Sequence, residues 1–260
     1  MLIRALYDPP GTPRGQLCPC VITGAVVPVG SQANVTMTTS DVPVEETTSV
    51  QRETTGAATR YLYLVRHGEA LPDESGLTEA GQRQAALLGR RLQDIPFTAV
   101  HHGPLPRAAQ TARLIHDQLA NVPLLVSDVA GDYVPYVPQR AELPPESADF
   151  YLRFLADTTD DEREQGAALA RRALDLFTGP VDGGEDRHEL VVTHNFLVAW
   201  LVRDAMHAPK WRWLGLNHAN AALTVIRYAP GRAASVLVSN DMRHLPAELR
   251  WTGFPPESHI

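Results

Sequence analysis

The stretch Tyr61-Leu-Tyr-Leu-Val-Arg-His-Gly-Glu69 decides how this chain folds. Its first five residues are apolar and rich in strand formers, and Gly68 ends the run. A short continuous apolar segment of this kind reads as a strand buried on both faces, the habit of parallel sheets. Downstream, Gly81, Ala85, Leu88 and Leu92 share one helical face, with Thr78 placed to cap it. Phe97 to His101 reads as a second strand. Pro106 suits the first turn of a helix that carries Ala108, Ala112, Ile115 and Leu119 on one stripe. Val122 to Val126 is a third strand. Residues 127–145 are rich in Pro, Tyr and Asp, which predicts an active-site loop or small cap extending to about 160.

Helices are expected over 146–157 and 161–177, the second with Thr159 and Glu162 at capping-box spacing. Glu189 to Thr193 is another buried strand, followed by an apolar helix from Asn195 to about Met206. Ala221–Tyr228 and Ala234–Ser239 supply two more strands. There are no internal repeats. Strands alternating with helices predict an α/β three-layer sandwich, a mainly parallel central sheet with helices on both faces.

Upstream of this block the texture differs. From Ser31 to Thr59 the chain is dominated by Thr, Ser, Val, Glu and Gln without a sustained period. Residues 1–58 are therefore expected to form a disordered leader, with the folded domain over 59–260. Met37 is an alternative start within it. The two cysteines, Cys18 and Cys20, make neither a zinc site nor a disulfide framework. A cytoplasmic setting is compatible with that content. No run of about 18 apolar residues occurs, and Pro9, Pro10 and Pro13 interrupt any export signal. At a net charge of −7 no global positive field recruits nucleic acid or anionic membrane, so any phosphate site must gather its positive charge locally.

The chemistry gathers at four places. Arg66-His-Gly-Glu69 lies at the carboxyl end of the first strand, where ligands bind in open α/β sheets. Gly76-Leu-Thr-Glu-Ala-Gly81 opens the next helix, Pro104-Leu-Pro-Arg-Ala-Ala-Gln-Thr-Ala112 the one after, and Val191-Val-Thr-His194 closes a late strand. This ordered set resembles the histidine phosphatase superfamily, also called phosphoglycerate-mutase-like, over about residues 61–228. The resemblance implies that family's fold and a reaction in which His67 attacks phosphorus and is transiently phosphorylated. Arg66, Arg107 and His194 would then surround the equatorial oxygens, in the part that a metal plays elsewhere. The residue chemistry agrees: neutral imidazole is a good nucleophile near pH 7, and guanidinium forks suit phosphate oxygens.

Other residues carry two readings each. Glu69 is either an electrostatic aid to substrate or a helix-cap partner. His102 and His218 are candidate substrate contacts, or a strand-end residue and a packing residue. His101 and His102 stand where the family usually has small residues. The general acid, which the family supplies after the third strand, falls to Asp132 ahead of Asp128, with Glu142 a distant third. Tyr133, Pro135, Tyr136 and Pro138 form a substrate rim or simply pack, and Trp200, Trp211 and Trp213 are expected in the core.

The short connection from Glu69 to Leu77 lacks the Trp-Asn of mutases, which favours a phosphatase. A mutase-type phosphoryl transferase and a non-catalytic binder of phosphorylated ligands remain as alternatives. A metallohydrolase built on His67, His101, His102 and His194 ranks lower, because Arg66 and Arg107 would repel a cation. The expected reaction needs no metal and no cofactor. The expected partner is a small phosphorylated substrate or a phosphoprotein, and neither nucleic acid nor membrane.

Overall fold

The computed structural model describes residues 56–260. The expectations for residues 1–55, including Cys18, Cys20 and Met37, lie outside the described residues. At the other end of the expected leader the boundary moves. Strand β1 (Ala57–Ala58) pairs antiparallel with β5 (Val181–Asp182). The Gly183 N–H donates to the Gly56 carbonyl at 2.7 Å, and Arg187 N–H to that of Thr59 at 2.8 Å. Ordered pairing thus begins before residue 59. Two alanines carry no apolar period, so only the backbone bonds reveal this pair.

The remaining strands form one six-stranded sheet: β2 (Arg60–Arg66), β3 (Phe97–His102), β4 (Leu124–Val126), β6 (Arg187–Thr193), β7 (Leu223–Tyr228) and β8 (Ser235–Asp241). Their order is β4-β3-β6-β2-β7-β8. The four strands from β4 to β2 run parallel, and β7 and β8 are antiparallel additions. The expected mainly parallel sheet is present. Its α-helices are α1 (Glu79–Leu92), α2 (Pro106–His116), α3 (Ala148–Phe154), α4 (Asp160–Phe177) and α5 (Asn195–Ala205).

Strand alternation sorts the core into two layers. Tyr63, Val65, Val100, Leu190 and Val192 point to the face covered by Ala85, Leu88 and Leu92 of α1 and Ala112 and Ile115 of α2. Leu62, Leu64 and Val191, all at 0% exposure, take the opposite face, where α5 packs against β2. Each such leucine contributes on the order of 1.5–3 kcal/mol by burial.

Local signals set the ends of the helices. Thr78 Oγ1 accepts from the Gly81 N–H at 3.0 Å, Pro106 occupies the first turn of α2, and Thr159 and Glu162 form the reciprocal capping box of α4. Some boundaries differ from the sequence expectation. β4 starts at Leu124 because Pro123 has no N–H to contribute to the ladder. β7 starts at Leu223 because Ala221 sits at φ +52°, outside the strand region. α3 covers only Ala148–Phe154 of the expected 146–157.

Candidate active site

Parallel β2, β3 and β6 end side by side, which brings Arg66, His67, His102 and His194 to one edge of the sheet. The His67 N–H of the backbone donates to the Thr193 carbonyl at 2.9 Å, continuing the ladder one residue past β2. The imidazole then settles its own tautomer. Nδ1 lies 2.7 Å from the Gly68 carbonyl oxygen, which can only accept, so Nδ1 carries the hydrogen. Nε2 is left with its lone pair. Burial holds the His67 pKa well below the usual imidazole range, and His194, Arg66 and Arg107 push the same way.

Two glycines make this turn possible. A side chain on Gly68 would stand 2.6 Å from the Gly81 carbonyl oxygen, and one on Gly81 would collide with the Glu69 backbone. The start of α1 therefore seats directly on the turn that carries His67. Thr111 adds a second brace. Its hydroxyl accepts from the Gly68 N–H at 3.0 Å and donates to the Arg107 carbonyl at 2.7 Å, joining the first turn of α2 to that of the nucleophile candidate. Asn220 supplies a third, donating from Nδ2 to the His67 carbonyl at 2.9 Å. Neither Thr111 nor Asn220 is evident from the sequence, because each acts across the sheet end on a backbone group. The positive φ of Ala221 beside Asn220 marks strain there, and its N–H donates to the Arg66 carbonyl at 2.9 Å.

Arg66 is 4% exposed, and its Nη1 donates to the carbonyls of His218 (2.7 Å) and Gly253 (3.3 Å). Arg107 is equally buried and carries two carboxylates. Nη1 donates to Glu74 Oε2 at 3.0 Å, and Nη2 to Asp132 Oδ2 at 2.7 Å. His194 caps the amino end of α5, its ring centroid 5.1 Å from that of His67. Both of its ring nitrogens are buried without a hydrogen-bond partner, and Nδ1 lies 3.6 Å from Asp132 Oδ2. Buried polar atoms are nearly always satisfied, so an orphaned imidazole facing a cationic pair marks a place where a ligand supplies the partner. Burial lowers the His194 pKa to about 4, against an opposing pull from Asp132. It therefore stands neutral near pH 7, with one N–H to donate.

Asp132 reaches the cage because the 3-10 turn Asp128–Ala130 is clamped under it. Thr193 Oγ1 donates to the Ala130 carbonyl at 2.7 Å, and the Gly131 N–H to that of Asp128 at 3.0 Å. Asp128 itself is exposed at the start of that turn. Glu142 is engaged elsewhere. It accepts from the Tyr136 hydroxyl, which holds its carboxyl below the usual range, and from the Gln139 N–H.

The remaining candidates divide. Glu69 Oε1 accepts from the Thr78 hydroxyl at 2.9 Å, so the structure places it at the cap of α1. His218 is 3% exposed; its backbone carbonyl accepts from Arg66, and burial and Arg66 depress the pKa of its ring to about 3. His102 spends Nδ1 on the Gly103 carbonyl at 2.8 Å, in the manner of His67 and Gly68. His101 turns away, its ring 5.4 Å from that of Phe177 in α4, so the histidines of the metallohydrolase alternative do not converge. Among the described residues no group of three or more His, Cys, Asp and Glu stands close enough to hold a metal ion. The loop's Tyr133 and Tyr136 pack: the Tyr133 hydroxyl donates to the Val129 carbonyl, and Trp213 Nε1 to that of Tyr136. Trp200 and Trp213 are buried, Trp211 half-buried.

Three buried neutral imidazoles make stability depend on acid. Above about pH 6.5 the folded and unfolded chains both hold them uncharged. Below it the unfolded chain binds protons that folded His67, His194 and His218 refuse, down to about pH 4 for His194 and about 3 for His218. Stability thus falls as pH drops through that window. The melting temperature is expected to decline steadily from pH 7 to pH 4.5, and less steeply in His218→Gln. Equal slopes in the two proteins would remove His218 from this account.

Comparison with known proteins follows this geometry. The sequence profile described as Histidine phosphatase superfamily (branch 1) matches residues 62–241. The mitochondrial serine/threonine-protein phosphatase Pgam5 of Caenorhabditis briggsae is 30% identical over 208 residues, covering 77% of this chain and 70% of that protein. The mouse protein of the same name is 25% identical over 202 residues, covering 74% and 66%. Among solved structures, a phosphoglycerate mutase from Bacillus anthracis superposes with a TM-score of 0.51 at 22% identity, covering 74% of this chain and 97% of that one. The alpha-ribazole phosphatase from Shigella flexneri gives 0.50 at 22% identity, with coverages of 70% and 96%. These two likenesses concern the fold. Among the described residues no helix is long and apolar enough to cross a membrane. With its motifs in order from the end of β2 to the end of β6 and a matching profile over residues 62–241, this chain belongs to branch 1 of the histidine phosphatase superfamily.

Proposed function

We propose that this protein is a metal-independent phosphate-monoester hydrolase that works through a phosphohistidine on His67. The observation that carries the reading is the tautomer: with Nδ1–H committed to Gly68, the Nε2 lone pair is the free nucleophile. Nε2 attacks phosphorus, the bond to the ester oxygen breaks, and the alcohol departs with a proton. Water then attacks the phosphohistidine, releasing inorganic phosphate and regenerating the imidazole. Arg66, Arg107 and the His194 N–H stabilise the equatorial oxygens in both steps. Rapid quenching with a phosphorus-labelled aryl phosphate tests this directly: an acid-labile, alkali-stable label is expected on His67, formed equally fast after exhaustive chelation. Label on another residue, or none in a protein that turns over, would overturn the reading.

Asp132 serves as the general acid in this scheme. It stands on Arg107 and beside His194, whereas Asp128 makes no ion pair with either. General acids contribute ~10²–10⁴-fold where the leaving group needs a proton. Asp132→Asn is therefore expected to slow alkyl phosphates by that factor and to spare p-nitrophenyl phosphate, whose phenolate leaves unaided. The same selective loss in Asp128→Asn would transfer the role.

The substrate is a phosphomonoester of a small molecule or of a protein. Pgam5 is by name a serine/threonine-protein phosphatase, which makes phosphopeptides the first class to assay. The compartment belongs to the same proposal: a cytoplasmic setting is compatible with the cysteine content, while the relatives are named as mitochondrial. Fractionation of cells expressing the full chain decides between the two.

A further inference from the structure

Among the described residues the cage around His67 is electrically balanced before any substrate arrives. Arg66 and Arg107 bring two positive charges, Glu74 and Asp132 two negative ones, and His67 and His194 are held neutral. A phosphate dianion entering such a site meets no net attraction unless a carboxylate withdraws. Glu74 is the one built to move. Its side chain is 52% exposed, against 5% for the Arg107 side chain that it contacts. It sits at the tip of a tight turn in which the Leu71 N–H donates to the Gly76 carbonyl and the Glu74 N–H to that of Leu71.

That tip is strained. Glu74 has φ +60°, a conformation that glycine adopts without penalty and other residues reach only under strain. The base of the turn, in contrast, is fixed to α2. Gln110, one helical turn beyond Arg107, accepts the Leu77 N–H at 2.8 Å. The turn is therefore held at its base, while the carboxylate at its tip lies half-exposed on the guanidinium.

We infer that Glu74 is a specificity-determining residue. It covers Nη1 of Arg107 in the empty site, swings aside for phosphate, and then stands at the rim as a fixed negative charge. From there it favours phosphate esters that carry a cationic group close to the phosphate and disfavours those that carry a second anion. The inference rests on the proposed phosphate site at Arg107. It adds which phosphate esters that site prefers.

The test uses two small esters of similar size and opposite charge, phosphoethanolamine and phosphoglycolate. Binding to the full chain is measured by calorimetry in a His67→Ala background, so that turnover does not intervene. Adding Glu74→Gln is expected to tighten phosphoglycolate ~5-fold and to leave phosphoethanolamine unchanged or weaker, as removal of one partly screened charge at this range implies. Glu74→Gly keeps the turn, because glycine accepts its φ. It is expected to show the same change in ratio with an equal or higher melting temperature. An unchanged ratio, or equal loss of both esters, overturns the inference; equal loss is what a residue that only holds Arg107 in place would give. If wild type and variants bind neither ester, the phosphate site itself is refuted and the inference with it.

Discussion

Replacing His67 with alanine is expected to lower kcat by at least ~10⁴-fold, the largest effect of any single substitution in this protein. The loss is chemical, not structural. The side chain removed makes one internal hydrogen bond, to the neighbouring Gly68 carbonyl, while the backbone of residue 67 is tied to Thr193 and Asn220. The variant should therefore melt close to wild type and still bind inorganic phosphate. Supplying free imidazole should restore a small part of the turnover of activated aryl phosphates, because the cavity left behind opens onto the same cationic pair. A variant that keeps more than about a hundredth of the activity, against the loss expected for a nucleophile, would move the reaction to a different group.

Arg107→Ala comes second, with an expected loss of ~10²–10³-fold in kcat/KM, the scale found when one charge-stabilising donor is taken from a developing oxyanion. Its consequences reach further than the missing donor. Glu74 and Asp132 both lose their counter-ion, so the site changes from balanced to net negative and repels the substrate that it must bind. Arg107→Ala combined with Glu74→Gln should then recover part of the binding lost by the single variant. Arg107→Lys keeps the charge but not the fork, and should fall between. Steady-state kinetics on p-nitrophenyl phosphate check all three, and a single-variant loss below about 5-fold, far under that scale, would exclude Arg107 from the reaction.

Much of this was legible in the chain because local signals and tertiary needs coincide. Strand β2 is apolar from Leu62 to Val65, between its two buried arginines, Thr78 and Thr159 cap the helices that they precede, and Pro106 sits where its missing N–H costs nothing. Arg66, His67, Arg107 and His194 converge because three parallel strands deliver their carboxyl ends to one edge. What escaped the sequence acts over distance or through backbone atoms. Glu74 looks like any acidic loop residue until Arg107 is seen beneath it. Asn220 and Thr111 hold peptide groups, which leaves no pattern of side-chain types to read. His218 was a candidate by its residue type, yet its carbonyl rather than its ring serves Arg66. The β1–β5 pair is two residues long, too short for a period to show.

Arg66 anchors on carbonyls 152 and 187 residues further along the chain. Synthesis runs from the amino end, so His67 and Arg66 are made early while the groups that aim the guanidinium arrive late. A growing polypeptide can lay down β2, α1 and β3 and still possess no competent anion site. The second of these carbonyls is present only when residue 253 has been added. Loss of the segment beyond residue 249 would take the Gly253 carbonyl away and leave the guanidinium on that of His218, with the nucleophile candidate still in place.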